Sequence, residues 1–204
     1  MSTGSERRSP VRAKVREAVS EAILEAAEEV ALENGLEAAS AAAIAARAGV
    51  AVGTLYNYFP DRDGILAALF KTRRAQIGPA IEAGFQAAAA LPFEERMRAY
   101  VRSLLEVFDA HASFFKLAVL ADGESAKLRG GKDKTLMTQV LHHIEQIMRD
   151  GVARKLFPAS RVAAYTRMLH GAVKGLVLWR VTEGMPLVAD ADLVVDVFLR
   201  GVAP

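Results

Sequence analysis

Apolar residues recur at three- and four-residue spacing along almost the whole chain, a pattern that predicts helices and demands no strand. Val19, Ile23, Ala26 and Val30 mark the buried stripe of a first helix, which opens with Ser9 as cap and Pro10 in the first turn and closes at Gly35. Ser40 caps a short second helix with Ile44 and Ala45 inward, Gly49 closes it, and Gly53 to Tyr58 forms a third. Asp61 caps a fourth, with Ile65, Leu66, Leu69 and Phe70 as its apolar face. Gly78-Pro79 breaks or kinks this helix, and a domain boundary is placed there with a continuous helical connection. Leu91-Pro92 starts a helix carrying Met97, Val101, Leu104, Leu105 and Phe108. A short helix spans Ser113 to Ala121, and Asp122 to Lys132 is a long loop. Asp133 to Leu156 is helical, Phe157-Pro158 stops it, Ser160 to Glu183 is the longest apolar helix, and Asp190 to Gly201 is the last. The expected organisation is an arm over 1–14, a small domain over 15–77 and a larger helical domain over 78–204.

Composition narrows the chemistry. The chain has 204 residues, 52 % of them hydrophobic, and no cysteine, which excludes disulfides, iron–sulfur clusters and thiol catalysis. The N-terminus is basic but lacks the apolar core of a secretory signal, and the chain is read as cytoplasmic. Val162 to Val181 is interrupted by Arg167, His170, Lys174 and Arg180, so it is a buried amphipathic helix and no membrane contact is expected. Net charge is only +2, but Arg7, Arg8, Arg12, Lys14 and Arg16 cluster ahead of the acidic run Glu17 to Glu33. This basic segment reads either as an arm reaching a polyanion or as a solvated tail. His142-His143 is rejected as a metal site, because neighbours on a helix point apart and no third ligand is spaced to help. No cofactor, catalytic set or phosphate loop is expected.

Gly35 to Phe59, GLEAASAAAIAARAGVAVGTLYNYF, reads as helix, tight turn, short helix. In a helix-turn-helix the second helix enters the DNA major groove. Ile44, Ala45, Val50, Leu55 and Phe59 would lock the helices together, while Ser40, Val52, Thr54, Tyr56, Asn57, Tyr58 and Arg62 face DNA, and Gly53 lets a backbone come close. An ordinary helical hairpin with surface tyrosines is the bland alternative.

The segment RAGVAVGTLYNYFPDRDGIL, with its G-x-L-Y-x-Y-F core, resembles the DNA-binding module of the tetracycline-repressor (TetR) family, and the likeness runs without gaps from Val15 to Phe70. The resemblance implies an all-α protein with an N-terminal three-helix helix-turn-helix domain and a C-terminal helical domain that binds a small effector and dimerises. It also implies that Val52, Thr54 and Asn57 touch base edges, that Tyr56 and Tyr58 contact bases, sugars or phosphates, that Arg62 grips a phosphate, and that Ser40 caps its helix beside one. The chain departs from the pattern at Ala51, where a capping serine is common, and at Ala41, Ala42 and Ala43, which leave backbone N–H groups to meet phosphate.

The C-terminal part yields two further expectations. Ser160 to Glu183 is apolar on two faces: Tyr165, Leu169, Ala172, Leu176 and Trp179 on one, Met168, Gly171, Gly175 and Leu178 on the other. With Val194 and Phe198 of the last helix, the second face is expected to form a homodimer interface; a thicker monomer core is the alternative. Tyr100, Leu104, Phe108, Phe114, Phe115, Met137, Leu141 and Met148, with His142 and His170 as polar handles, are candidates for an apolar or amphipathic ligand site, against the plain reading that they are core. The function expected is a dimeric regulator, a repressor released from a palindromic double-stranded DNA operator by a small molecule. The alternatives are a helical-pocket enzyme with a vestigial DNA-binding domain and an architectural DNA binder without effector.

Overall fold

The computed structural model describes residues 10–120, 135–186 and 188–202. Ser9, most of the expected arm, the expected loop Asp122–Lys132 and the expected helix start at Asp133 lie outside them. Nine α-helices and no strand occur among the described residues: α1 Pro10–Asn34, α2 Ala41–Arg47, α3 Val52–Tyr56, α4 Arg62–Ala87, α5 Phe93–Ala110, α6 Ala112–Leu120, α7 Thr135–Ala153, α8 Val162–Glu183 and α9 Ala191–Val202. The all-α architecture anticipated from periodicity is the architecture found. Pro10 to Lys14 belong to α1 rather than to an arm, and Pro79 lies inside a continuous α4. By contact the described residues divide into two units, 10–71 with Leu120 in the first, and 72–119, 135–186 and 188–202 in the second.

The first unit is built on side chains that are almost wholly buried: Ile23, Leu24, Ala27 and Ala31 of α1, Ile44 of α2, Leu55 of α3, and Ile65, Leu66 and Leu69 of α4. An ion-pair clamp fixes α2 on α1, Arg47 Nη1 reaching Glu29 Oε2 at 2.9 Å while Nη2 pairs with Glu33. The double pairing holds the Arg47 guanidinium above, and the Glu33 carboxyl below, its ordinary pKa.

The second unit packs α5 centrally, with Met97, Tyr100, Val101, Leu104 and Leu105 buried against Ile77, Ile81 and Phe85 of α4, Ile144, Ile147 and Met148 of α7, Leu169 and Val173 of α8 and Val195 of α9. Two glycines permit the closest approaches. A Cβ on Gly84 would stand 1.9 Å from Ser103 Oγ, and one on Gly151 would stand 2.6 Å from the Phe157 ring. Ion pairs tie α9 to α5, Arg98 to Asp196 at 2.5 Å and Arg102 to Asp192 at 2.6 Å. Gly184, at φ 69°, ends α8 in the left-handed conformation that a glycine adopts freely, and Arg180 pairs with Asp190 at 2.5 Å across the turn that follows.

The phases of α8 and α9 differ from those expected. Tyr165 and Leu169 turn inward with Val173, but Ala172 and Trp179 join Met168, Gly171, Gly175 and Leu178 on the outward side. Phe198, expected at a dimer interface, is 7 % exposed and packs edge-on against Tyr165 at 5.9 Å, so it belongs to the core of its own chain. Val194 is half-buried, and the exposed apolar residues of α9 are Leu193 and Val197.

Candidate nucleic-acid interface

The candidate interface is assembled from four local devices. Ser40 stands in the extended conformation ahead of α2, and the Ala43 N–H donates to its Oγ at 3.2 Å. Gly49, at φ 68°, makes the turn that follows α2. Ala51 occupies the cap position of α3 and supplies no side-chain bond, so that helix is held by packing, its Leu55 being fully buried. The Gly64 N–H donates to Asp61 Oδ1 at 2.6 Å and caps α4.

With Leu55 and Phe59 inward, α3 turns Val52, Gly53, Tyr56 and Asn57 to solvent and leaves Thr54 and Tyr58 half-buried. A Cβ on Gly53 would meet nothing within 4 Å, so that flank is open to another molecule's backbone. No residue of α3 is charged. Positive charge comes from α1. Arg16 donates from Nη2 to the Asn57 carbonyl at 3.1 Å, and its guanidinium lies 4.9 Å over the Tyr58 ring. Arg12, Val15, Arg16 and Tyr58, with Glu17 as the one acidic residue, line a surface groove of about 750 Å³.

Arg62 is placed otherwise than a free phosphate grip. Its Nε donates to the Ala39 carbonyl at 3.1 Å, Nη2 donates to the Leu36 carbonyl, and Nη1 pairs with Asp63 at 3.2 Å. All its donors on this side are engaged within the domain, where they close the α1–α2 connection immediately before Ser40. Sequence reasoning missed this role, as it missed the bond from Arg16 to Asn57, because each partner carbonyl lies far along the chain. A lone arginine in the first turn of a helix, where the helix dipole disfavours a cation, was the available signal.

The expected ligand residues are dispersed. Tyr100, Leu104 and Met148 are buried to about 1 % exposure or less, Phe108 and Phe114 are also core, and Phe115 stacks edge-on against both at 4.4 and 5.4 Å. Met137 is exposed, with His170 Nε2 at 2.7 Å from its sulfur. His142 is exposed, with its ring tilted against His143 at 6.4 Å and its Nε2 at 2.6 Å from Gln146. The buried histidine is its neighbour. His143 stacks on Phe85 at 4.1 Å, takes a Tyr100 hydroxyl contact at Nδ1 and a Glu82 contact at Nε2, both 3.0 Å. A carboxylate only accepts, so neutral His143 donates from Nε2 to Glu82 and accepts at Nδ1 from Tyr100. Gln139 and Gln86 donate to the same carboxylate at 3.3 and 2.7 Å. Burial holds the His143 imidazole below its ordinary pKa and pushes the Tyr100 hydroxyl up, while the Gln86, Gln139 and His143 bonds hold the Glu82 carboxyl down.

Open space in the second unit lies elsewhere. A cleft of about 580 Å³ runs between α7, the Ala159–Arg161 turn and α8, and Leu141 is the one expected ligand residue on its wall. No group of three or more metal-ligating side chains occurs among the described residues, and no described helix is long and apolar enough to cross a membrane.

Comparison with known proteins bears on both units. Residues 23–69 match the profile described as bacterial regulatory proteins, tetR family. No curated protein matches the chain in sequence. Among solved structures, the chain resembles the fatty acid degradation regulator FadR of Bacillus halodurans, with a TM-score of 0.69 and 23 % identity over 89 % of this chain and 98 % of that one. It is equally similar to FadR of Bacillus subtilis, solved in complex with stearoyl-CoA, at TM-score 0.70 and 23 % identity over 89 % and 98 % of the two chains. PfmR of Thermus thermophilus gives a TM-score of 0.72 at 23 % identity over 89 % and 99 %. These likenesses establish a shared fold through both units.

Proposed function

We propose, from the match of residues 23–69 to the profile of bacterial regulatory proteins of the tetR family, that this chain acts in the cytoplasm as a homodimeric repressor, released from a palindromic operator by a small apolar or amphipathic molecule. The observation that carries the reading is the exposed face of α3, where Val52, Gly53, Tyr56 and Asn57 stand clear of the protein over a fully buried Leu55. A helix so short, locked so firmly and turned so completely to solvent suits insertion into a major groove.

A pair of such helices reads a palindrome only when two copies of the chain are joined, because half-sites lie about 34 Å apart, one turn of DNA. The outward side of α8, with Met168, Leu178 and Trp179, and the exposed Leu193 and Val197 of α9 offer apolar surface for that contact. The cleft in the second unit favours an effector-responsive regulator over an architectural DNA binder. FadR of Bacillus subtilis binds stearoyl-CoA; by extension an acyl-type amphiphile is the effector class to test first. An effector acts only through its different affinity for the DNA-competent and incompetent conformers.

Selection of bound duplex from a random pool, followed by titration of the selected site and of random duplex at several salt concentrations, tests the reading. Enrichment of a two-fold symmetric sequence is expected. Equal affinity for selected and random duplex would remove it.

A further inference from the structure

The cleft between α7 and α8 holds chemistry that nothing above uses. Thr166 lines it at 6 % exposure, and its hydroxyl has no hydrogen-bond partner. A buried hydroxyl without a partner is destabilising, and native structures tolerate few of them. The next residue of α8, the exposed Arg167, reaches the rim of the same wall with its long side chain and has no ion pair among the described residues. Arg149, also on the wall, is already engaged by Glu145 at 2.6 Å. The rest is apolar, with Leu141, Val152 and Val162 among the lining. A volume of about 580 Å³ falls within the range of small-molecule sites, about 300–1,000 Å³.

We propose that this cleft binds an amphipathic carboxylate, its head group accepting from the Thr166 hydroxyl and facing Arg167, its apolar tail lying along Leu141, Val152 and Val162. Each alternative leaves something unmet. A neutral apolar molecule leaves Thr166 without an acceptor and makes no use of the Arg167 guanidinium at the rim. A cationic amphiphile meets two guanidinium groups and a Glu145 carboxylate that Arg149 already occupies. A carboxylate accepts without donating and carries the compensating charge, and charge-assisted hydrogen bonds are the stronger kind. The buried cluster of Phe85, Tyr100 and His143 offers no comparable room, its rings lying 4.1 to 5.5 Å apart centre to centre. The regulatory meaning of the cleft rests on the effector-responsive reading above; the binding itself does not.

The test is calorimetric titration of the full chain with decanoate, decanol and decyltrimethylammonium, with operator affinity followed separately. Decanoate is expected to bind best. Arg167→Gln should weaken decanoate by about tenfold or more and leave decanol unchanged. Ala163→Trp, which fills the cleft from its exposed rim, should abolish binding of both. Thr166→Val should weaken decanoate yet raise the melting temperature of the ligand-free protein, since it removes the unpartnered hydroxyl without changing shape. Decanoate affinity that is unmoved by Arg167→Gln and Ala163→Trp in folded variants, or no binding of any probe to the folded wild type, overturns the assignment. Decanoate bound with these dependences but without effect on operator affinity upholds the site and removes the effector reading alone.

Discussion

Arg62 donates from Nε to the carbonyl of Ala39 at 3.1 Å, and so the first residue of α4 holds the connection that delivers Ser40 to the start of α2. A second bond, from Nη2 to the Leu36 carbonyl, spans the same connection. The geometry makes this side chain a strut first and a charge second.

Arg62→Ala should therefore lower the stability of the chain by about 1–3 kcal/mol, the usual cost of leaving buried acceptors without a charged donor. DNA affinity should fall with it, and Arg62→Lys should not restore it, because an ammonium cannot span two carbonyls in a fixed fork. Thermal melting beside DNA titration checks the point. Loss of affinity and one unit of salt slope with an unchanged melting temperature would instead assign Arg62 to a phosphate.

Asn57→Ala should weaken the selected operator by about 1–3 kcal/mol and random duplex hardly at all, since an exposed amide can pair with one adenine edge. The Asn57 carbonyl that receives Arg16 is retained in this variant, so the end of α3 keeps its tether. Equal losses on both duplexes would deny Asn57 a base contact.

His143 titrates below the ordinary histidine value of 6.5 because burial disfavours the imidazolium. The unfolded chain then takes up its proton first as pH falls. Its contribution is fully present above about pH 6.5 and is lost as pH falls through the lower folded value. His170 is shifted the same way, by burial first and then by Lys174 and Arg167, so it contributes in the same window. Melting temperature is expected to drop between pH 7 and pH 5 in wild type, and to drop less in His143→Gln and in His170→Gln. Glu82, held below 4.5, contributes in a separate and more acid window. Parallel curves for all three proteins would place the pH dependence outside this network.

Gly175→Leu separates an interface from a merely exposed helix. A Cβ there meets nothing within 4 Å in the single chain, and leucine is favoured over glycine in a helix by up to about 1 kcal/mol. An isolated chain should gain stability from the change. In a dimer that packs through α8, both copies receive the added bulk at once, and association should weaken by about 1–3 kcal/mol per site. Sedimentation equilibrium with melting at low concentration distinguishes the outcomes. A wild-type chain that is monomeric at micromolar concentration without DNA ends the proposal.

The helices were legible because their stripes, caps and breakers are local: Ser40, Gly49 and Asp61 mark α2 to α4 in sequence as they do in space. What failed was phase and distance. Composition could not tell whether His142 or His143 faced inward, since adjacent helical residues point about 100° apart and only packing against Phe85 and Tyr100 decides. The same ambiguity put Phe198 outward, where Leu193 and Val197 belong. The cleft escaped notice because several residues of its wall are alanines, which announce a helix but not a space. Arg16 and Arg62 find their partners 41 and 23 or 26 residues away, beyond any spacing rule.

The uncharged exterior of α3 has a consequence for how such a protein would rank sites in a cell. Salt acts on binding through the phosphates that cationic side chains neutralise; in the proposed binding mode those cations sit on α1, while the α3 groups proposed to face base edges carry no charge. Changing ionic strength then scales occupancy of every sequence together. The order of preference among sequences stays fixed, so osmotic stress would dim the regulator across the genome without redirecting it.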